Sequence, residues 1–139
     1  MISPKNFLTI LIAIIAVSLV IILNPFSDDE SNFSYFTFDA VYVKDDNSIL
    51  ITFSDATGKS SFAILEILGM DTTYHKEFAI TDSQFSKIMP IEKIPKYGWK
   101  TTPVTLEITY DGTVVKMKTE VHEKDEPKPE IIFSTSLSN

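Results

Sequence analysis

The sequence predicts a mainly β protein, an antiparallel β-sandwich preceded by a single transmembrane α-helix. Three observations support this fold class: an uncharged apolar run near the N-terminus, a series of short apolar stretches separated by turn residues, and a two-residue hairpin signal late in the chain. A length of 139 residues accommodates one domain and an appendage. We therefore expect one sandwich attached to one membrane helix.

The N-terminal apolar run covers residues 7–23 and reads FLTILIAIIAVSLVIIL, with Thr9 and Ser18 as its only polar residues. As a helix it is about 26 Å long, close to the thickness of a thin bilayer. A cleaved secretory signal is the alternative. The small residues that cleavage requires, Ala13 and Ala16, lie inside the run instead of after it, which favours a retained anchor.

The flanking charges predict the orientation of the helix. Lys5 precedes the run, and no Lys or Arg occurs between it and Lys44. Basic flanks stay cytoplasmic, so residues 1–6 are expected inside and the remainder outside, as in a single-pass protein of the cell membrane with an extracytoplasmic C-terminal domain. Residues 24–34, NPFSDDESNFS, resemble a solvated stalk, and Asn32 begins a candidate glycosylation sequon.

The sandwich is expected over residues 35–122. Short runs rich in aromatic and β-branched residues alternate with turn clusters at the spacing typical of antiparallel sandwiches. One run, SFAILEIL, is apolar at both odd and even positions, so both sides of the strand would be apolar. This predicts a central strand covered on both faces. The expected strands are 35–43, 49–53, 61–68, a peripheral strand within 72–80, and a short or edge strand within 84–94 that Pro90 and Pro95 limit.

The clearest signal is a hairpin around Asp111-Gly112. Apolar and polar residues alternate with a period of two over 104–110 and again over 113–121. An Asp-Gly pair favours a type I′ turn, because both central positions of that turn need positive φ. One face of this hairpin is expected to be buried and the other solvated.

The last part of the chain, residues 123–139, is predicted to be a charged, proline-containing tail. Ile131, Ile132 and Phe133 are the exception to its polarity. They either pair with an edge strand over 131–133 or dock a partner, and the intramolecular alternative is favoured because added strands are common in sandwiches.

Charge and composition exclude several function classes. The formal charge is −7, and all twelve basic side chains are Lys, so a broad cationic surface for nucleic acid is not expected. The absence of cysteine excludes disulfides, thiolate metal sites and a cysteine nucleophile.

No catalytic, cofactor or metal motif is present. His75 and His122 are the only histidines, and neither lies in a metal-binding or phosphate-binding pattern. A lone histidine on a strand is usually structural or exposed. We therefore expect a protein that is not an enzyme and has no cofactor.

Acidic turns offer one alternative. A calcium ion would find oxygen ligands in Asp45, Asp46 and Asn47, with Asp111 as a further ligand. Solvated turn residues explain the same pattern, since Asp and Asn stabilise turns through local hydrogen bonds, and this explanation is favoured.

Candidate interface residues are aromatic. Tyr74, Tyr97 and Trp99 lie near proline-bounded loops, where amphipathic rings often anchor partners, although core packing explains Trp99 equally well. The apolar group 131–133 is the other candidate.

The run SFAILEIL and the hairpin VTLEITYDGTVVKMKTEV resemble those of immunoglobulin-like or fibronectin-type-III-like sandwich domains over residues 35–122. With the anchor, the chain resembles small archaeal surface proteins, including stator-type ectodomains of the archaellum. The anchor, the sandwich and the absence of a catalytic motif together favour a non-catalytic, membrane-anchored extracytoplasmic module that binds a protein of the cell envelope or of a membrane complex. A pilin-like or archaellum-stator-type subunit and an accessory subunit of a membrane enzyme remain alternatives.

Overall fold

A computed structural model describes residues 33–137 of the chain. The predicted membrane helix over 7–23, most of the predicted stalk and the candidate sequon at Asn32 lie outside these residues. Within the described range, none of the helical segments has the length and apolar character that crossing a bilayer would take.

Two β-sheets form the described part of the chain, so the predicted mainly β fold is confirmed. One has four strands in the order β5-β2-β1-β8, and the other has five in the order β4-β3-β6-β7-β9. Neighbouring strands are antiparallel except β1 and β8, whose parallel pairing departs from the all-antiparallel prediction. The strands are β1 Phe36–Val43, β2 Ser48–Asp55, β3 Ser60–Ile67, β4 Tyr74–Ala79, β5 Gln84–Pro90, β6 Pro103–Tyr110, β7 Thr113–Glu120, β8 His122–Glu123 and β9 Ile132–Leu137.

A single hydrophobic core lies between the sheets, as in a sandwich. Inward-facing side chains alternate with outward-facing ones along each central strand, and those of both sheets join one cluster. Full burial of a Val, Leu, Ile, Phe or Met side chain contributes about 1.5–3 kcal/mol. The largest fully buried members are Phe38, Ile49, Ile51, Leu65, Ile67, Leu106, Ile108 and Met117.

The β6–β7 hairpin forms as predicted. Tyr110 pairs with Thr113, and the two residues between them, Asp111 and Gly112, have φ of 46° and 77°. Positive φ at both positions is the signature of a type I′ turn.

The expectation that β3 is covered on both faces is wrong. Ala63, Leu65 and Ile67 are fully buried, whereas Phe62 and Ile64 point to the outer face and Phe62 is 38% exposed. The reason is that two layers cover each other on one face only. Among the described residues, no third layer packs outside β3.

The C-terminal segment does not leave the fold at residue 122. Val121 is buried, β8 adds a short parallel strand to β1, and the chain then crosses to the other sheet, where β9 pairs with β7. The added edge strand therefore runs over Ile132–Leu137 and is longer than the predicted 131–133.

Candidate functional site

An open groove of about 720 Å³ lies at one end of the sandwich, between the loop that precedes β6 and the segment that follows β7. One wall is formed by residues 97–100 and the other by residues 120–122 and 126–129. Its lining combines two aromatic rings, Tyr97 and Trp99, with two proline rings, Pro127 and Pro129.

A tight turn positions the aromatic wall. Gly98 has a φ of 81°, its N–H donates to the carbonyl of Pro95 at 3.1 Å, and the 3₁₀ turn Trp99–Thr101 follows directly. The hydroxyl of Thr101 donates back to the Gly98 carbonyl at 3.0 Å. These bonds hold the two aromatic residues on either side of a glycine that accepts the left-handed backbone.

The two rings have different environments. The half-buried Trp99 ring lies 4.9 Å from the ring of Tyr42, at an interplanar angle of 41°, and so is anchored on the core. Tyr97 is 76% exposed, and its described ring contact is with the ammonium group of Lys96 at 5.4 Å. Trp99 is therefore the fixed part of this wall, while Tyr97 presents its ring to solvent.

His122 fixes the opposite wall. Its Nε2 lies 2.8 Å from Asp39 Oδ1 and its Nδ1 lies 2.7 Å from the Glu123 carbonyl oxygen, and the residue is buried. Both partners carry acceptor oxygens, so both ring nitrogens of His122 are engaged in these contacts. His122 thus joins β8 to β1 and has neither ring nitrogen available for a ligand.

Charges around the groove are balanced. Lys100 and Lys128 contribute positive charge, and Glu120 and Glu126 contribute negative charge. Such a lining does not favour a highly charged ligand such as a phosphate chain. It matches the apolar centre and mixed polar rim of protein-binding surfaces.

His75, the other histidine, lies on the exposed face of β4. Its Nδ1 is 2.7 Å from Glu66 Oε1 and its Nε2 is 3.1 Å from Glu77 Oε1. Hydrogen bonds to Glu66 and then to Glu77 raise the pKa of His75 above its ordinary value. In the part of the chain that the structure describes, no cluster of His and carboxylate groups has metal-binding geometry.

A buried carboxylate, Asp55, is the polar centre that sequence reasoning missed. Oδ1 accepts from the N–H and hydroxyl of Thr57 at 2.8 and 2.7 Å, and Oδ2 accepts from the N–H of Lys59 at 3.0 Å and from the N–H and hydroxyl of Ser60 at 2.9 and 2.7 Å. Burial alone would raise the pKa of Asp55, but the hydrogen bonds from Ser60 and Thr57 outweigh it and lower the pKa. Because its acceptor sites are occupied by the turn itself, Asp55 has a structural role. The run DATGKS contains the signal, since an Asp in a turn commonly accepts a hydrogen bond from the backbone two residues later, as in an Asx turn.

The candidate calcium ligands are not brought together. Asp45, Asp46 and Asn47 lie in the turn after β1, whereas Tyr110, beside Asp111, contacts Phe36 at the start of β1 with ring centroids 5.2 Å apart. The eight-residue β1 separates these ends by about 26 Å. Asn47 instead accepts a hydrogen bond from the Tyr42 hydroxyl and donates one to the Ile91 carbonyl.

Of the candidate interface residues, Tyr97 and Trp99 share the groove and the others do not line it. Tyr74 is half-buried at the start of β4, opposite Ile67, and burial raises its pKa. Ile131, Ile132 and Phe133 lie at the opposite edge of the same sheet; Phe133 stacks on Phe33 at 4.8 Å, and Ile132 is exposed.

Comparisons with protein-family models, with curated proteins and with solved structures found no match to this chain.

Proposed function

We propose that this chain is a membrane-anchored extracytoplasmic interaction module that binds a protein of the cell envelope or of a membrane complex, without catalysis. One observation carries the proposal: the exposed ring of Tyr97 and the anchored ring of Trp99 together line one wall of an open groove. Aromatic residues are enriched at the centres of protein interfaces.

The groove walls favour an extended protein segment as the occupant. Tyr97, Trp99, Pro127 and Pro129 offer flat apolar surfaces. Lysines and glutamates around them can pair with either sign of charge at the rim. A partner chain with an apolar or aromatic residue flanked by polar ones fits this lining.

The proposed anchor over residues 7–23 gives the module its location. A single span with Lys5 on the cytoplasmic side would hold the sandwich outside the membrane. Confinement to the membrane raises the effective concentration of partners, so even a weak groove interaction would serve in an assembly. An archaellum-stator-type or pilin-like subunit, or an accessory subunit of a membrane enzyme, would use the same arrangement.

We also propose an immunoglobulin-like relationship for the sandwich. If β1 to β7 are lettered A to G in chain order, β1, β2 and β5 are strands A, B and E, and β3, β6 and β7 are strands C, F and G. Strands A, B and E are then neighbours in one sheet and strands C, F and G in the other, as in immunoglobulin domains. The fourth strand differs, because β4 pairs with β3 and not with β5. The terminal strands β8 and β9 are additions to that arrangement.

Site-specific photocrosslinking tests the groove. A photoreactive phenylalanine analogue at position 97 of the full-length chain, in its native membrane, is expected to give a discrete adduct with one protein. The same analogue at Ile88, an exposed apolar residue on the outer face of β5 and outside the groove, is the matched control. Equal adducts from both positions, or none from position 97, would contradict the proposed groove function.

A further inference from the structure

The edges of the two sheets differ in how they are protected against further strand pairing. An unpaired edge invites another strand unless charge, proline or short length blunts it. β4 carries His75, Lys76 and Glu77, β5 carries Lys87 and ends at Pro90, and β8 has only two residues. These three edges are protected.

β9 lacks all three protections. Its sequence, IFSTSL, has six residues with no charge and no proline, and no strand among the described residues pairs with its outer edge. Phe133 and Leu137 lie on its core side, because they pair with Met117 and Thr113 of β7. Leu137 is nevertheless 85% exposed.

We propose that β9 pairs with β9 of a second copy of this chain, antiparallel about a two-fold axis at Thr135. A two-fold axis perpendicular to a sheet keeps each strand's core side on the same face of the joined sheet. Core-side residues of one copy therefore lie opposite core-side residues of the other. Thr135 then faces Thr135 of the second copy, and Phe133 faces Leu137 twice. The two five-stranded sheets become one continuous sheet.

The sequence of β9 favours a second copy as the occupant, because residues 133–137, FSTSL, are nearly symmetric about Thr135. The register places the exposed Leu137 of each copy beside Phe133 of the other, on the core side of the joined sheet, and centres a Thr–Thr pair between them. Apolar and Thr–Thr cross-strand pairs both stabilise antiparallel sheets. The strand therefore carries its own complement.

The interface is small. One pair of six-residue strands buries less than the roughly 800 Å² per partner of a stable complex. A charge of −7 on each copy adds repulsion. The dimer is therefore weak in dilute solution and populated at high local concentration. The strength of the dimer in a bilayer depends on the proposed membrane anchor. The pairing register of the two β9 strands does not depend on it.

Cysteine crosslinking tests the register, and the absence of native cysteine makes each single variant unambiguous. In the full-length chain at high concentration in mild detergent, Thr135→Cys is expected to form a disulfide dimer under mild oxidation, because opposite Cα atoms lie within about 4.5–5.5 Å. Ser134→Cys is the control, since the two-fold offsets its copies by two residues, to about 8 Å, which is too far for a disulfide. Equal linking of both variants, or none from Thr135→Cys, overturns the proposed pairing.

A charge at the axis tests the same contact without cysteine. Thr135→Lys places two ammonium groups opposite each other and is expected to weaken self-association at least about tenfold in sedimentation equilibrium. Thr52→Lys, an exposed Thr on the central strand β2, is expected to leave it unchanged. If Thr135→Lys associates like the unaltered chain, the inference is wrong. Photocrosslinking at position 97 is a separate readout, so failure of the groove and failure of this pairing are distinguishable.

Discussion

Asp55→Asn tests whether one buried carboxylate holds the turn between β2 and β3. Asp55 is 3% exposed and accepts five hydrogen bonds, three of them from backbone N–H groups of Thr57, Lys59 and Ser60. Asn has nearly the same shape but replaces one acceptor oxygen with an NH₂ donor. Depending on how the amide turns, its NH₂ group faces either the N–H of Thr57 or the N–H groups of Lys59 and Ser60, so at least one backbone donor loses its acceptor.

The size of the effect follows from these contacts. A buried donor without an acceptor costs about 1–3 kcal/mol, and exchanging a charged acceptor for a neutral one costs about 1 kcal/mol more. We therefore expect Asp55→Asn to lower the free energy of unfolding by about 2–4 kcal/mol, or the Tm by roughly 10–25 °C for a domain of this size. Denaturant titration of the full-length chain, followed by circular dichroism, measures the loss.

The same change has a predicted pH dependence. The folded pKa of Asp55 is lowered, so its stabilisation is fully present above the unfolded pKa of about 3.9 and is lost as the pH falls through the folded value. The difference between the unaltered chain and Asp55→Asn should therefore shrink in acid. Asp46→Asn, in the exposed turn after β1, is the matched control and should be near neutral. A loss below about 1 kcal/mol at neutral pH, or a loss equal to that of the control, would refute the reasoning.

Three further predictions concern other positions. Gly69→Ala should destabilise the chain clearly more than Gly112→Ala in thermal melts. Both glycines have positive φ, but a Cβ at Gly69 would lie 2.2 Å from the Thr101 carbonyl oxygen, whereas a Cβ at Gly112 would meet open space. Equal losses would contradict the packing of the groove loop. His75→Gln should lower the free energy of unfolding below pH 6.5, and this loss should shrink as the pH rises through the raised folded pKa of His75. Urea titrations at several pH values measure the loss. A loss that grows with pH would contradict the prediction. Thr102→Val should leave the free energy of unfolding unchanged or raise it by about 1 kcal/mol, because the fully buried Thr102 hydroxyl has no hydrogen-bond partner among the described residues. A clear loss in denaturant titration would show that the hydroxyl has a hydrogen-bond partner and would contradict the prediction.

Much of the fold was predictable because strand signals are local. The alternation over 104–110 and 113–121 and the Asp111-Gly112 turn specify a hairpin without reference to the rest of the chain. Pro90 and Pro95 likewise predict a short or edge strand within residues 84–94, because proline has no N–H to donate to a neighbouring strand. β5 is an edge strand.

The candidate site was less predictable, because it depends on contacts between distant parts of the sequence. The sequence marks Tyr97 and Trp99 as aromatics near prolines, but their opposite environments, one exposed and one packed on Tyr42, depend on where the loop packs. Part of the second wall of the groove, residues 126–129, comes from a segment that looks like a charged tail in sequence. His122 belongs to this wall only because Asp39, far away in the chain, accepts its hydrogen bond.

By itself the sequence determined the class of the fold, the hairpin register and the expectation of an anchor over residues 7–23, because hydrophobic period, turn chemistry and apolar length act between near neighbours. Only the tertiary structure decided that β3 is covered on one face, that the chain after Val121 first joins β1 and then β7, and that the acidic turns lie at opposite ends. These features follow from which strand lies beside which, and sheet order is set by the shared burial of side chains that are remote in sequence.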